Sequence, residues 1–354
     1  MREFEIFAEE SLLLEILSEQ KDLKNWNSIL ANHALINLDM EEEQLDLLKS
    51  DPSSSLIGEF MKAHGHKKII AAKKFFQDFE KDNSIVLDKP FSTYFLEKDD
   101  QTVSALSEKF GLIFQNLNVN DEILSGNIYW DLESTETYQK SADIAGWNYL
   151  LEDHTKVFNS LIINDPYLFD NPELIKGQYI KTGVLNTVAF LDAILPQKLG
   201  VDFHLFLFTG SKNKDMSPAK AESIFNQLTT ALATLRPYQI LFEFVVCQDT
   251  LHRRRAFSNY TIYKTDQGFD IFSDELKYKP KTENDLDVTD IFHSIISMKG
   301  KPQAMEIVNR LPLIYKSALD ALKDIKDGKA QKGQKCHGFT NSYSIQNRLL
   351  KHFP

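Results

Sequence analysis

The residues best suited to chemistry lie in one run, Leu251-His252-Arg253-Arg254-Arg255-Ala256-Phe257-Ser258-Asn259. Arginine offers a planar fork of donors that fits phosphate or carboxylate, and histidine can act as base or nucleophile. In an extended chain alternate side chains share a face. His252 and Arg254 would then point one way, and Arg253 and Arg255 the other. The first pair could hold and attack an anion, and the second could bind phosphate. The same run also reads as a solvated edge strand whose charges discourage pairing with other chains.

The elements that must position this run are strand-like on both sides. Residues 238–247 precede it, and 260–264 and 268–272 follow. Upstream, a helix is expected near 144–159, then a buried strand at 160–168 that Asp165-Pro166 closes. An apolar helix at 186–195, a strand at 201–209 and a helix from Ser217-Pro218 to about Leu235 come next, with proline near the first turn. The order β-α-β-α-β-β describes an α/β sandwich over residues 144–280.

The N-terminal 125 residues read as a second, acidic α/β unit, with strands expected at 4–8, 34–38, 91–96 and 112–114. Helices are expected at 12–17, 41–48, 69–79 and 99–110. Carboxylates follow several strands: Glu9 and Glu10, Asp39, Asp99 and Asp100. Acids at the carboxyl ends of α/β strands could hold a divalent cation such as Mg²⁺ or Mn²⁺ through oxygen ligands, and no other cofactor is suggested. Acids at such turns are equally helix caps. This unit is similar in that respect to PIN-type nucleases, where acids at such positions bind metal.

Bulk properties bound the rest. The chain has 354 residues, 42% of them hydrophobic, so two or three globular domains are expected. The net charge of -11 disfavours broad coating of nucleic acid but leaves room for a local basic site. Two cysteines, Cys247 and Cys336, suggest no disulfide framework. No signal-peptide core and no membrane-length apolar run stands out, and a cytoplasmic location is expected.

Ile163-Asn164-Asp165-Pro166-Tyr167, Asn186 with Phe190-Leu191, Leu251-His252-x-Arg254 with Asn259, and Gly268-Phe269-Asp270-x-Phe272 follow one another in order. With these elements, residues 145–275 resemble the phospholipase D-like domain found at the C-terminus of MIT-domain proteins. In active phospholipase D enzymes a His-x-Lys motif with a later Asp forms a phosphohistidine, and two motifs meet in one site. The resemblance therefore implies that His252, Arg254 and Asn259 hold those places, with Arg for Lys and Asn for Asp. Asp165 could supply the missing carboxylate if it lies close to His252. With one motif per chain, an active site would require a homodimer.

The expected function is recognition of a phosphodiester, nucleic acid rather than lipid, by a nuclease or a nucleic-acid sensor, for example in defence against phage. The alternative is a non-enzymatic adaptor whose acidic unit and C-terminal helices bind protein partners. Residues 126–143 read as a connector, 281–327 as a helical hairpin with a first helix at 285–297 carrying Ile291, Phe292, Ile295 and Ile296, and 328–354 as a basic tail. In that tail Lys329, Lys332 and Lys335 suggest flexibility, and Phe339, Tyr343 and Phe353 could stack on bases.

Overall fold

The structure is a computed structural model. It describes residues 4–18, 24–32, 34–65, 68–116, 118, 128–131, 146–151, 157–169, 181–210, 216–247, 252–266, 268–272, 285–290, 303–328 and 336–352. The chain divides into two compact units, Met1–Gly126 with Asp290–Val308, and Asn127–Thr289 with Asn309–Pro354. Both are α/β.

The first unit is built on a five-stranded, all-parallel sheet. Its strands are β1 (Phe4–Ala8), β2 (Ala34–Leu38), β3 (Ile69–Ala71), β4 (Thr93–Phe95) and β5 (Ile113–Gln115), in the order β3-β2-β1-β4-β5. Parallel sheets bury both faces, and Ile6, Phe7 and Ala8 in the middle strand are all buried. Helices α1 (Glu10–Leu17), α2 (Lys24–Asn32), α3 (Glu42–Ser50), α4 (Leu56–His64), α5 (Lys73–Lys81) and α6 (Asp100–Phe110) accompany the sheet. Leu12, Leu13 and Ile16 form the buried stripe of α1, and Phe76 and Phe79 that of α5. The chain moves outward from β1 in one direction through β2 and β3, and in the other through β4 and β5. The carboxyl ends of β1 and β4 therefore border the crevice where such sheets carry ligands. The single helix expected at 69–79 is instead a strand and a helix. Ile69 pairs with Ile36 in β2, and the helix starts only at Lys73. The consecutive isoleucines favour the sheet edge.

The second unit holds an eight-stranded mixed sheet ordered β13-β9-β8-β7-β10-β11-β12-β6. Its strands are β6 (Ile128–Asp131), β7 (Ser160–Asp165), β8 (Phe203–Gly210), β9 (Ile240–Cys247), β10 (Arg254–Ser258), β11 (Thr261–Thr265), β12 (Asp285–Asp290) and β13 (His337–Phe339). Strands β7, β8 and β9 run parallel, and β10 lies antiparallel to both β7 and β11. One core gathers Leu161, Ile163, Leu205, Leu207, Phe244 and Ala256 of the sheet with apolar residues of the helices. These helices are α7 (Trp147–Leu151), α8 (Lys181–Ile194) and α9 (Pro218–Leu232). Ser217 caps α9 by accepting the Lys220 N–H at 3.2 Å.

Three expectations are corrected in this unit. Residues 285–290 are a strand, paired with β6 from Asp285↔Asp131 to Val288↔Ile128. Leu286 and Val288 are buried at alternate positions, a period of two that overrides the helical reading. Ile291, Phe292, Ile295 and Ile296 lie outside the described residues, whereas the second helix is present as α10 (Gln303–Lys326), with Pro312 inside it. The C-terminal segment is part of the fold over 336–352. There β13 pairs with β9, and Ile345, Leu349 and Leu350, close to α11 (Arg348–Lys351), are buried. Apolar residues spaced among the polar ones anchor it, a signal that the preceding lysines mask. Finally, the Phe339 ring is stacked 4.6 Å from Phe225 and 6.0 Å from Phe244, so it serves the core and not a base-stacking surface. Lys329, Lys332, Lys335, Phe353 and most of the 126–143 connector lie outside the described residues.

Candidate anion-binding site

Strand β7 delivers Asp165 to the carboxyl end of the parallel strands, where its side chain is fully buried. A bare carboxylate there would be costly, so it is hydrogen-bonded. Asp165 Oδ1 accepts the Tyr167 N–H at 2.9 Å, and Oδ2 accepts the Phe269 N–H at 2.9 Å. The Thr209 hydroxyl donates to its backbone carbonyl at 2.8 Å. Burial raises the Asp165 carboxyl to about 6, and the Asp270 charge adds to the rise. The two N–H donors and Arg254 pull the other way.

The segment Gly268–Phe272 is held against this carboxylate from its other end. Asn186 of α8 accepts the Phe272 N–H at 3.0 Å and donates to the Phe272 carbonyl at 2.8 Å. Phe269 packs with Trp147 and Phe190. Gly268 has φ +103, a conformation that suits glycine. The Asp165-Pro166-Tyr167, Asn186, His252-x-Arg254 and Gly268-Phe269-Asp270 elements thus meet in one place although they are far apart in sequence.

Strand β10 brings the cationic run alongside. Arg255 pairs with Asn164 and Arg254 with Thr265, which sets successive arginines on opposite faces. Arg254 turns toward Asp165, with Nε 4.0 Å from Oδ1, an electrostatic contact too long for a hydrogen bond. Its guanidinium carbon lies 4.8 Å from the Tyr167 ring centroid, a cation–π contact, and it donates to the Asp266 carbonyl. Its buried Nε has no hydrogen-bond partner among the described residues. His252 is exposed, and its Nε2 is 3.1 Å from the Tyr167 hydroxyl. Tyr167 therefore touches both members of the His-x-Arg pair. It stood in the Asp-Pro-Tyr element of the sequence, but only the fold shows that its ring lies beneath the cation.

The remaining candidates divide. Arg253 is exposed beside His252, and its carbonyl is held by Asn164 Nδ2 at 2.6 Å. Arg255 is half-buried on the other face and donates to the Arg254 carbonyl at 2.9 Å. Asn259 does not join the site. It lies beyond the far end of β10, fully buried, and accepts the Asn159 and Ser160 N–H groups at 3.0 and 3.1 Å. Six residues separate it from His252, five of them the extended strand β10, on the order of 20 Å along the chain. Leu251 lies outside the described residues.

No family model matches the chain, and no curated protein matches it. What the site can do rests on its own geometry. An exposed histidine and arginine flank a largely buried arginine stacked on tyrosine. That set can receive an anion, while the nearby carboxylate is committed to backbone donors.

The acids of the first unit are placed as follows. Glu10 opens α1 and is exposed. Asp39 forms an ion pair with Lys73 at 2.9 Å. Asp99 caps α6, accepting the Thr102 N–H at 2.8 Å, and Asp100 accepts from Asn116 and Asn118 at 2.6 and 2.7 Å. These bonds lower both carboxyls below the usual range. Among the described residues no three His, Cys, Asp or Glu side chains are grouped to hold a metal ion. The acids that do meet are Glu9 and Glu97, at the ends of β1 and β4. The Glu97 N–H donates to the Glu9 carboxylate, and the Ser11 hydroxyl donates to that of Glu97. Burial raises the Glu9 carboxyl despite the Glu97 N–H, and the Glu97 and Asp39 charges add to the rise.

Proposed function

We propose that the second unit recognises a phosphodiester, and that nucleic acid is its ligand class. The observation that carries the reading is the arrangement of Tyr167 beneath Arg254 with its hydroxyl on His252, which leaves His252 and Arg253 exposed beside a fixed cation. The meeting of the motif elements that resemble phospholipase D-like domains adds support. Asp165 spends its oxygens on two backbone donors, and the histidine is oriented by a phenol, with no carboxylate on it among the described residues. Both features favour binding over hydrolysis, as in a nucleic-acid sensor. A hydrolytic version would need a second histidine from another copy of the chain.

The test is an anisotropy and cleavage assay on labelled single- and double-stranded DNA and RNA, run in EDTA and in Mg²⁺ or Mn²⁺. Binding that His252→Ala and Arg253→Ala weaken, without cleavage, is the expected result. Cleavage in EDTA that His252→Ala abolishes would make the protein a phosphodiesterase. Metal-dependent cleavage that Asp99→Ala/Asp100→Ala abolishes would move the activity to the first unit. An adaptor role has one specific observation in its favour: α3 exposes Leu47, 68% accessible, among Glu42, Glu43 and Asp46. Nucleic-acid affinity indifferent to both arginine and histidine changes would leave that reading standing.

A further inference from the structure

The two cysteines of the chain are 89 positions apart in sequence, yet their sulfurs lie 3.6 Å apart. Both are thiols, and both are nearly buried, with 6% of Cys247 and 8% of Cys336 accessible. Their meeting follows from strand register. In the antiparallel pair of β13 with β9, His337 opposes Val246 and Phe339 opposes Phe244. One position further along, Cys336 stands opposite Cys247. Directly opposed residues of an antiparallel pair have Cα atoms about 4.5 to 5.5 Å apart. That spacing falls within the roughly 4.4 to 6.8 Å that a disulfide spans. A bond therefore requires side-chain rotation and no movement of the backbone.

The place of the pair gives the bond something to do. Strand β13 has only three residues and lies at the edge of the sheet. Besides its pairing with β9, it is held by the Phe339 stack on Phe225 and by His337 Nε2, 3.1 Å from the Met216 carbonyl. Gly338 sits so close to α10 that an added Cβ would collide with Leu322. Cys336 opens this segment, and a covalent tie there would fasten its entry to the end of β9, the long strand beside it. Cys247 ends β9, and His252 follows five positions later.

We propose that Cys247 and Cys336 are an oxidisable pair that forms a reversible intramolecular disulfide and locks the C-terminal segment onto the sheet. The co-reactant is a peroxide or a small disulfide such as oxidised glutathione. With a peroxide, one thiol becomes a sulfenic acid and water leaves. The second thiol attacks that sulfur, the S–S bond forms and a second water leaves. Two thiols lose two electrons and two protons, and the peroxide is reduced to two waters. With a disulfide, one thiolate first forms a mixed disulfide and releases one small thiol, and the other then displaces the second small thiol, so the reagent leaves as two thiols. This inference does not depend on the anion-binding reading, and its test reads neither binding nor cleavage.

The experiment uses the full chain, reduced, freed of reductant, and treated with hydrogen peroxide or oxidised glutathione. The expected result is a mass lower by two hydrogens, loss of both maleimide-reactive thiols on denaturation, and one linked peptide pair containing Cys247 and Cys336, all reversed by dithiothreitol. Cys247→Ala or Cys336→Ala should leave a single thiol that takes a glutathione adduct or a sulfenic acid. Hydrogen exchange of the amides in 337–347 should slow on oxidation of the wild type, with no change in the double alanine variant. Two thiols that stay reactive, separate adducts on each, or a link between two chains would overturn the pairing. Exchange that is unchanged in the linked protein would overturn the lock.

Discussion

A Cβ placed on Gly268 would lie 2.7 Å from Asp165 Oδ2. Real side chains do not approach so closely, and this carboxylate cannot retreat without giving up the Phe269 and Tyr167 N–H groups. Gly268→Ala therefore combines backbone strain at φ +103 with a collision at a buried charge. The expected cost is about 3 kcal/mol or more, read from urea denaturation. Gly328, at φ +69 with nothing within 4 Å of an added methyl group, separates the two effects. Gly328→Ala should cost only about 1 kcal/mol. Equal losses at both positions would show that the Asp165 contact does not constrain Gly268.

The raised carboxyl of Asp165 makes stability depend on pH in a definite direction. The folded state keeps this proton up to about 6, whereas the unfolded chain releases it in the ordinary carboxylate range. Its contribution is thus fully present below that range and is lost as pH rises through about 6, at most about 3 kcal/mol in all. His204 works in the opposite sense. Burial, aided by the Arg348 charge, lowers it to about 4, so its neutral form stabilises the fold at higher pH and that contribution is lost as pH falls toward 4. Urea denaturation between pH 4 and 7 separates them. The advantage of the wild type over Asp165→Asn should shrink as pH rises, and its advantage over His204→Gln should grow.

Asn259 is expected to matter for folding and not for the anion site. Its Oδ1 satisfies two backbone N–H groups, and its Nδ2 donates to Asn159 Oδ1 at 3.2 Å. Asn259→Ala would strand those groups in the interior, at a cost of about 2 to 4 kcal/mol. Anion affinity measured well below the unfolding temperature should stay within about twofold of wild type, since a few tenths of a kcal/mol is the usual reach of a distant change. A large loss of affinity without a loss of stability would return Asn259 to the site.

What the sequence revealed follows the range of the interactions involved. Alternation along a strand is local, and it separates Arg254 from Arg255 within β10. His252 and Arg253, expected on opposite faces, both precede that strand and are both exposed, so the alternation does not reach them. Asp165 announced itself by its place before a proline at a strand end. Asn259 misled because spacing along a motif says nothing about distance once the chain is extended. The roles of Tyr167, Glu9, Glu97 and Cys336 depend on which strands become neighbours, and pairing across more than 80 positions leaves no mark in local composition. The strand at 285–290 and the buried C-terminal segment were obscured in the same way, because a short apolar alternation acquires meaning only from its partner strand.

The C-terminal segment should behave as core. Leu349 is fully buried, and the Glu243 carboxylate accepts the Gln346 and Asn347 N–H groups at 2.7 and 2.8 Å. Asn347 in turn donates to the Leu161 and His204 carbonyls at 3.2 and 3.1 Å. Leu349→Ala should cost about 3 kcal/mol, as large-to-small changes in a packed interior do. Tyr343→Ala, at a side chain 49% exposed, should cost less than about 0.5 kcal/mol. Denaturation of the two variants measures the contrast, and a flexible tail would make both changes silent.

Tyr167 decides whether the cation over its ring belongs to the binding surface. Tyr167→Phe keeps the ring 4.8 Å from the Arg254 guanidinium and removes only the hydroxyl on His252. The exposed histidine then loses its anchor while the arginine keeps its platform, so affinity for labelled single-stranded RNA or DNA should fall about two- to threefold. Tyr167→Ala removes both and should cost about tenfold, in line with the worth of a partly buried cation–π contact. The dependence of affinity on salt gives a second readout. Losing Arg253 should reduce the slope of log affinity against log salt by about one, because one phosphate contact disappears, whereas Tyr167→Phe should leave the slope unchanged. If the phenylalanine and alanine variants bind alike, the hydroxyl alone supports the site. If neither weakens binding, the anion is held elsewhere.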